Sequence, residues 1–205
     1  MASPRNGSRW MTLIAFTALF VVVGICLRLS WWQLDRAEEK RVWLEQQTQR
    51  AALPPADLHS LLQDSSPLHR SARLNGLVDN AHPVLLDNRT LNGVAGYHLL
   101  SPLQTTAGQW VLINRGWLPR GPSRQTLPDI PAIQDAVTVT GTVYHTSGDA
   151  FVLQEETLPD NQWPLRVQKV DFDAIGEKLG VELAPFEIRV TPELALGGLT
   201  PLPRH

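Results

Sequence analysis

The chain has 205 residues, of which 43% are hydrophobic and 19% are charged, and its formal net charge is -2. This composition excludes a mainly disordered chain, and the lack of a long basic run disfavours nucleic-acid binding. The one cysteine, Cys26, lies in the most apolar stretch, which excludes a disulfide framework, a cysteine-rich zinc site and a CxxC redox motif.

The stretch from Trp10 to Leu29 predicts a transmembrane helix, assigned to residues 10–30. At about 1.5 Å per residue it matches a hydrocarbon core about 30 Å thick. Trp10 lies at one edge and Trp31 and Trp32 at the other, as in an interfacial aromatic belt. We expect residues 1–9 to be cytoplasmic and the remainder translocated. The alternative, a cleaved signal peptide, is disfavoured because the apolar run is too long.

Residues 31–52 are rich in helix formers and predict a helical extension of the anchor, which Pro54 and Pro55 would end. Residues 53–205 then form the predicted export-side domain. The first part of this domain reads as a connection with a short helical turn near residues 58–62.

From about residue 68 the hydrophobic period is two, which indicates β-strands. Strands are predicted at residues 84–86, 110–113, 137–143, 165–170 and 186–190. One helix is predicted after residue 171, with Asp171 as its N-cap and Gly180 as its end. The fold class is therefore α+β: an N-terminal transmembrane helix followed by a β-rich domain, an antiparallel sheet or partly open barrel, with one or two short helices.

Dense polar and aromatic clusters carry the most specific signal in the sequence. They are Trp32-Gln33-Leu34 with Arg36 and Lys40, Leu86-Asp87-Asn88-Arg89, Gly93 with Gly96-Tyr97, and Asn114-Arg115-Gly116-Trp117 with Pro119. In this order and spacing the clusters resemble the Surfeit locus protein 1 family of bacterial type, which assembles cytochrome c oxidase. The resemblance extends from about residue 10 to residue 205.

This resemblance implies a non-enzymatic assembly factor that binds or stabilises haem a and aids its insertion into subunit I of a haem-copper oxidase. It also implies the inner membrane, with the domain in the periplasm, and a second membrane helix near the C-terminus. The sequence stops at His205 before such a helix, so we expect either a truncated chain or a member that lacks it. The rival hypotheses are a membrane-anchored scaffold that binds oxidase subunits without carrying haem, and an envelope enzyme.

The candidate cofactor-binding residues are His205, Arg115, Trp32 and Arg36. His205 would offer an axial ligand and Arg115 a partner for a haem propionate. For Arg115 the alternative is a structural ion pair with Asp87 or Asp79, and for Trp32 and Arg36 it is interfacial anchoring. The motif positions expected to matter are Gln33, Leu34, Asn88, Arg89, Gly96, Tyr97, Asn114, Arg115, Gly116, Trp117 and Pro119.

Most of these motif positions also have a structural interpretation. Trp117 is expected in the core or on a sheet face, while Gly116 would permit a bulge or a positive φ and Pro119 would end the strand. Tyr97 and Arg89 are expected to fix loops by hydrogen bonds. The six histidines show no metal-binding spacing.

Overall fold

The computed structural model describes residues 6–121, 127–145, 162–194, 196 and 199–202. The chain divides into two units, residues 1–49 and residues 50–205. The first unit consists of most of a single long helix, α1 (Asn6–Ala51), which covers both the apolar stretch and the polar residues that follow it. It is the one helix among the described residues that is long and apolar enough to cross a membrane.

The second unit is built mainly from strands. Two short helices, α2 (Leu58–Gln63) and α3 (Phe172–Leu179), and a 3-10 turn (Pro192–Leu194) accompany them. The strands are β1 (Ser71–Val78), β2 (Val84–Leu91), β3 (Val94–Thr105), β4 (Trp110–Pro119), β5 (Val137–Tyr144), β6 (Leu165–Val167) and β7 (Leu183–Val190). The predicted α+β class, with an apolar N-terminal helix before a β-rich domain, is confirmed.

Five of the strands close into a barrel. They pair in the order β1-β5-β7-β4-β3, and β3 pairs back with β1 through Gly76 and Thr105. The sheet also extends from β3 through β2 to β6. The barrel is therefore closed, whereas the sequence left open a flat sheet or a partly open barrel.

The strand pairing is mixed, which the antiparallel prediction did not include. β4 runs parallel to β7, and β2 runs parallel to β6. Parallel neighbours need a long connection. Between β4 and β7 that connection contains β5, β6 and α3.

Two apolar layers lie on opposite faces of the barrel strands. The interior is filled from all five strands and covered by Leu58 and Leu61 of α2. On the outer face, Phe172 and Ile175 of α3 pack against residues of β2, β3, β4 and β6. Asp171 caps α3 through a bond from the Ala174 backbone N–H, and Gly180 ends the helix with a φ of 68°, as the sequence predicts.

The β2–β3 hairpin turns at Asn92 and Gly93, which both have positive φ values, 51° and 81°. Two consecutive left-handed residues are the signature of a type I′ turn, for which Asn-Gly is the preferred pair. The turn fixes the register in which Leu91 faces Val94 and Arg89 faces Gly96. It thereby brings the cluster around residue 88 next to the cluster around residue 96.

Candidate functional site

Three of the sequence clusters meet on neighbouring strands. The Trp117 indole N–H on β4 donates a hydrogen bond of 2.8 Å to the Arg89 carbonyl at the end of β2. Between them lies Gly96 on β3, where an added Cβ would be 2.5 Å from the Trp117 ring and 2.2 Å from the Leu118 carbonyl oxygen. Only glycine allows this close approach. The clusters are thus parts of one packed unit.

The bend in β2 is fixed by a carboxylate. Asn88 has a φ of 59°, and the β2–β3 register shifts between Leu86 and Arg89. Asp87 Oδ1 accepts bonds from the Asn88 backbone N–H at 2.7 Å and from Arg120 Nη2 at 2.8 Å. The Arg120 guanidinium also lies over the Tyr97 ring, 5.8 Å from its centroid. The Asp87–Arg120 pair holds the β2 bend that sets the position of Arg89.

A second irregularity lies in β4. The β3–β4 register shifts opposite Leu99 and Leu100, and Gly116 has a φ of 132°. Asn114 Oδ1 accepts a bond of 3.2 Å from the Gly116 backbone N–H. Gly116 thus provides the expected bulge with positive φ, and β4 ends at Pro119 as predicted.

Polar side chains from five neighbouring strands lie on the outer face of the barrel. We call this set the polar cluster; it consists of Arg89, His98, Asn114, Tyr144, Glu187 and Arg189. Strand pairing places its members next to one another: Asn114 faces Arg189, and Tyr144 faces Glu187. The cluster is therefore held by strand backbones rather than by a loop.

The floor of the polar cluster is buried. Asn114 is 1% exposed and Glu187 is 0% exposed. Glu187 Oε1 accepts bonds from Asn114 Nδ2 at 3.3 Å and from Arg189 Nε at 3.1 Å. The Arg189 guanidinium carbon is 3.2 Å from the centroid of the Tyr144 ring, which adds a cation–π contact. Arg189 itself remains partly open to solvent.

The charges in the polar cluster influence one another. Burial lowers the pKa of the Arg89 guanidinium; the Glu187 carboxylate opposes this effect and the Arg189 charge adds to it. Burial, together with the charges of Arg89 and Arg189, lowers the pKa of His98 to about 3. Since His98 is then neutral at physiological pH, the cluster contains two guanidinium cations and one carboxylate.

Arg115 lies on the opposite, interior face of the same strands and is 4% exposed. Its Nη2 donates to the carbonyl oxygens of Pro131 at 2.6 Å and Leu196 at 3.4 Å, and its Nη1 donates to Ser101 Oγ at 3.5 Å. Burial lowers its pKa to about 10, so it stays charged at neutral pH.

The predicted ion pair of Arg115 with Asp87 or Asp79 is wrong. Asp87 pairs with Arg120, and Asp79 pairs with His82. Among the described residues the structure gives Arg115 backbone and hydroxyl acceptors instead of a carboxylate. The reason is topological: the Asp87–Arg120 pair forms at the β2 bend, whereas the Arg115 side chain enters the barrel.

The structure tests two further predictions about where side chains lie. Trp117 is buried on a sheet face, as expected. Tyr97 and Arg89 were expected to fix loops, but both lie on strands, Tyr97 buried on β3 and Arg89 half-buried on β2. The loop interpretation fails because the bend at Asn88 interrupts the alternation that would have predicted the strand.

The other predicted cofactor residues lie elsewhere. Trp32, Gln33, Leu34 and Arg36 are exposed on α1, where Arg36 pairs with Glu39 at 2.7 Å. His205 lies outside the described residues. Within the second unit the structure brings together Arg89, Asn114, Gly116 and Trp117. The roles assigned to His205, Arg115, Trp32 and Arg36 in cofactor binding stay predictions.

Sequence reasoning did not single out four members of the polar cluster: His98, Tyr144, Glu187 and Arg189. Glu187 and Arg189 were recognised only as the polar positions in the alternation of β7. That alternation predicted the strand correctly, but it could not show that the second face of β7 is also covered.

Comparison with known proteins shows the family to which the chain belongs. The SURF1 family model matches residues 20–203, most of the chain. The chain belongs to the SURF1 family. The SURF1 match includes α1 from residue 20 onward and every strand of the barrel, so the clusters that meet on β2, β3 and β4 lie within the matched residues.

Curated relatives agree with this assignment. The chain is 32% identical to Surfeit locus protein 1 of Arabidopsis thaliana, over 57% of this chain and 36% of that protein. It is 31% identical to a SURF1-like protein of Rickettsia felis over 52% of this chain and 44% of the relative, and 30% identical to one of Dictyostelium discoideum over 50% and 42%. The matches thus span less than half of each relative's length.

Proposed function

We propose that this SURF1-family chain is an assembly factor for a haem-copper cytochrome c oxidase and is not an enzyme. The observation that carries the proposal is the family match over residues 20–203, together with the meeting of the family-type clusters on β2, β3 and β4.

The proposed location is the inner membrane, with the barrel in the periplasm. Support comes from the apolar character of α1 and from Arg5 and Arg9, which precede the apolar stretch that starts at Trp10, since positive residues flank the cytoplasmic side of membrane helices. The proposed partner is subunit I of the oxidase, and the lipid bilayer is the second partner.

Haem a is the proposed cargo. Trp32 and Arg36 fit this role by exposure, since both are exposed on α1 just after the apolar stretch. Arg115 does not fit a propionate in this conformation, because its guanidinium is buried among backbone carbonyls. His205 is the candidate axial ligand. An imidazole ligand for the iron and a cation that pairs with a propionate would hold the haem yet permit its release.

The test is an optical spectrum of the full-length protein purified from membranes that produce haem a. We expect a haem band that weakens in His205→Ala and in Arg36→Ala. Arg73→Ala is a suitable control, because Arg73 is exposed on β1 and is distant in sequence from both Arg36 and His205. Absence of any haem band in the unmodified protein would exclude the cargo role.

The second candidate is a scaffold that binds subunit I and never carries haem. The exposed apolar side chains Trp31, Trp32 and Leu34 on α1 support it, since they offer a contact for another helix. This candidate predicts co-purification with subunit I even when haem a synthesis is blocked. Loss of co-purification under that block would favour the cargo role.

A further inference from the structure

A cavity of about 460 Å³ lies beside the start of β7, and we call it the β7 cavity. Three parts of the second unit line it: Leu62 of α2, Gln109 and Trp110 where β4 begins, and residues 181–185, which lead into β7. No member of the polar cluster is among the described residues that line it. Its size is within the range of about 300–1,000 Å³ that is usual for ligand sites.

The position of the β7 cavity follows from an irregular strand pairing. In the parallel pair of β4 and β7, Trp110 faces Leu183 and Leu112 faces Glu187, so residues 184–186 lie opposite Val111 alone. Extra residues on one strand interrupt the hydrogen-bond ladder and bend that strand. The cavity lies at this interruption, so the backbone sets its position.

The lining offers two polar groups that have no partner among the described residues. The exposed Glu182 carboxylate makes no hydrogen bond or ion pair there, and neither does the indole N–H of the half-buried Trp110. A tryptophan N–H usually finds a hydrogen-bond partner when the ring is buried. The cavity therefore presents one free acceptor and one free donor to a ligand.

The charge of the lining selects a cation. Glu182 is the one charged side chain among the described residues that line the cavity. An ammonium group can donate to its carboxylate, whereas a phosphate or carboxylate group would be repelled. Leu62, Glu182 and Pro185 are exposed, so the cavity opens to solvent and a ligand can enter it.

The apolar part of the lining favours lysine over a smaller amine. The long stem of a lysine can lie against Leu62, Leu183 and Pro185 while its ammonium group stays near solvent. A lysine within a polypeptide also brings a backbone carbonyl, which can accept the Trp110 indole N–H. An ethanolamine headgroup of a lipid lacks the long stem and carries a phosphate that Glu182 would repel.

We propose that the β7 cavity binds a lysine side chain of a partner polypeptide. Glu182 accepts from the ammonium group, the apolar lining covers the stem, and the Trp110 indole N–H donates to a neighbouring backbone carbonyl. This site does not depend on the oxidase role and would remain if haem binding were disproved.

The test follows the fluorine NMR signal of Trp110 in the full chain, labelled with fluorotryptophan and held in detergent. Loss of one signal in Trp110→Phe assigns it among the seven tryptophans. One probe is an N-acetylated, C-amidated tripeptide with a central lysine, and the other has norleucine, which keeps the stem without the ammonium group. The lysine peptide should shift the Trp110 signal at about fivefold lower concentration than the norleucine peptide.

Charge reversal assigns the effect to the cavity. Glu182→Lys should weaken binding of the lysine peptide by about tenfold, because attraction becomes repulsion. Glu177→Lys is the matched control, since Glu177 is an exposed glutamate on α3 outside the cavity and the change in net charge is the same. Equal binding of the two peptides, or equal losses in the two variants, would overturn the proposal.

Glycerophosphoethanolamine is the probe for a lipid headgroup. We expect it to leave the Trp110 signal unchanged at concentrations that saturate the shift by the lysine peptide. If it shifts the signal at a lower concentration than the peptide does, the cavity binds a headgroup and the assignment to a polypeptide is wrong. Because the two peptides are compared on the unmodified protein, that result stands even if Glu182→Lys fails to fold.

Discussion

Buried charged side chains have different kinds of partner on the two faces of the barrel strands. On the interior face Arg115 is buried and donates to two backbone carbonyls and to Ser101. On the outer face Arg89 and Arg189 share the buried carboxylate of Glu187. The interior arrangement joins distant segments of the fold, while the outer arrangement connects side chains of neighbouring strands. Four predictions test this difference, from the largest expected effect to the smallest.

Replacing Arg115 should cost the most. Arg115→Ala would leave a cavity and unpaired carbonyl oxygens at Pro131 and Leu196, and we expect a loss of about 3–4 kcal/mol in the free energy of unfolding. Urea unfolding followed by tryptophan fluorescence measures it. Arg115→Met, which fills the space without a charge, should lose less. A loss below about 1 kcal/mol in Arg115→Ala would show that the interior arginine is not structural.

Gly96→Ala should be the next largest effect. The new methyl group would collide with the Leu118 carbonyl oxygen and the Trp117 ring, so we expect a loss of about 2–3 kcal/mol. Gly93→Ala is the control: it meets no atom within 4 Å but has a φ of 81°, so only the backbone strain of about 1 kcal/mol applies. Thermal unfolding should rank the two variants in this order, and the reverse order would contradict the packing argument.

Glu187→Gln should have a moderate effect on stability. The amide keeps an acceptor for Asn114 but removes the charge that Arg189 and Arg89 share, so we expect a loss of about 1–2 kcal/mol. The exposed Glu182, just before β7, provides the control Glu182→Gln, which should change stability by less than about 0.5 kcal/mol. Similar losses in both variants would remove the distinction between the cluster and the surface.

His98 should make stability depend on pH. Its pKa is lowered from 6.5 to about 3 in the folded protein, so below 6.5 the unfolded chain binds the proton more readily. Stability should therefore fall as pH falls through this window, by up to about 1.4 kcal/mol for each pH unit. The measurement is urea unfolding between about pH 7 and pH 5, where His98→Gln should show a shallower slope. Identical slopes in the two proteins would mean that His98 is not held neutral.

The sequence predicts the strands with regular alternation and fails where backbone irregularity interrupts it. β5, β7 and α3 follow from period and capping alone. The sequence does not single out β1, although its burial alternates throughout, because Gly76 takes a buried position and Leu77 an exposed one, which breaks the alternation of apolar and polar residues. β3 was missed because Pro102 and the shift at Leu99 and Leu100 conceal a twelve-residue strand.

The candidate site was predictable only in part for a related reason. The clusters around Arg89 and Trp117 are visible in the sequence because each is dense and specific. Glu187, in contrast, looks like any exposed polar position of an alternating strand, and only strand order shows that β4 and β5 flank it. Whether a polar residue lies on a solvated or a covered face is a tertiary property.

Closure of the barrel also determines at which point of synthesis the domain can complete its folding. β7 is the last of the five barrel strands along the chain, yet it lies between β4 and β5. During synthesis, β1, β3 and β4 can form local pairs, but the ring stays open until β7 has been delivered. Glu187 and Arg189 arrive on that same strand, so the polar cluster comes into existence only when folding is complete.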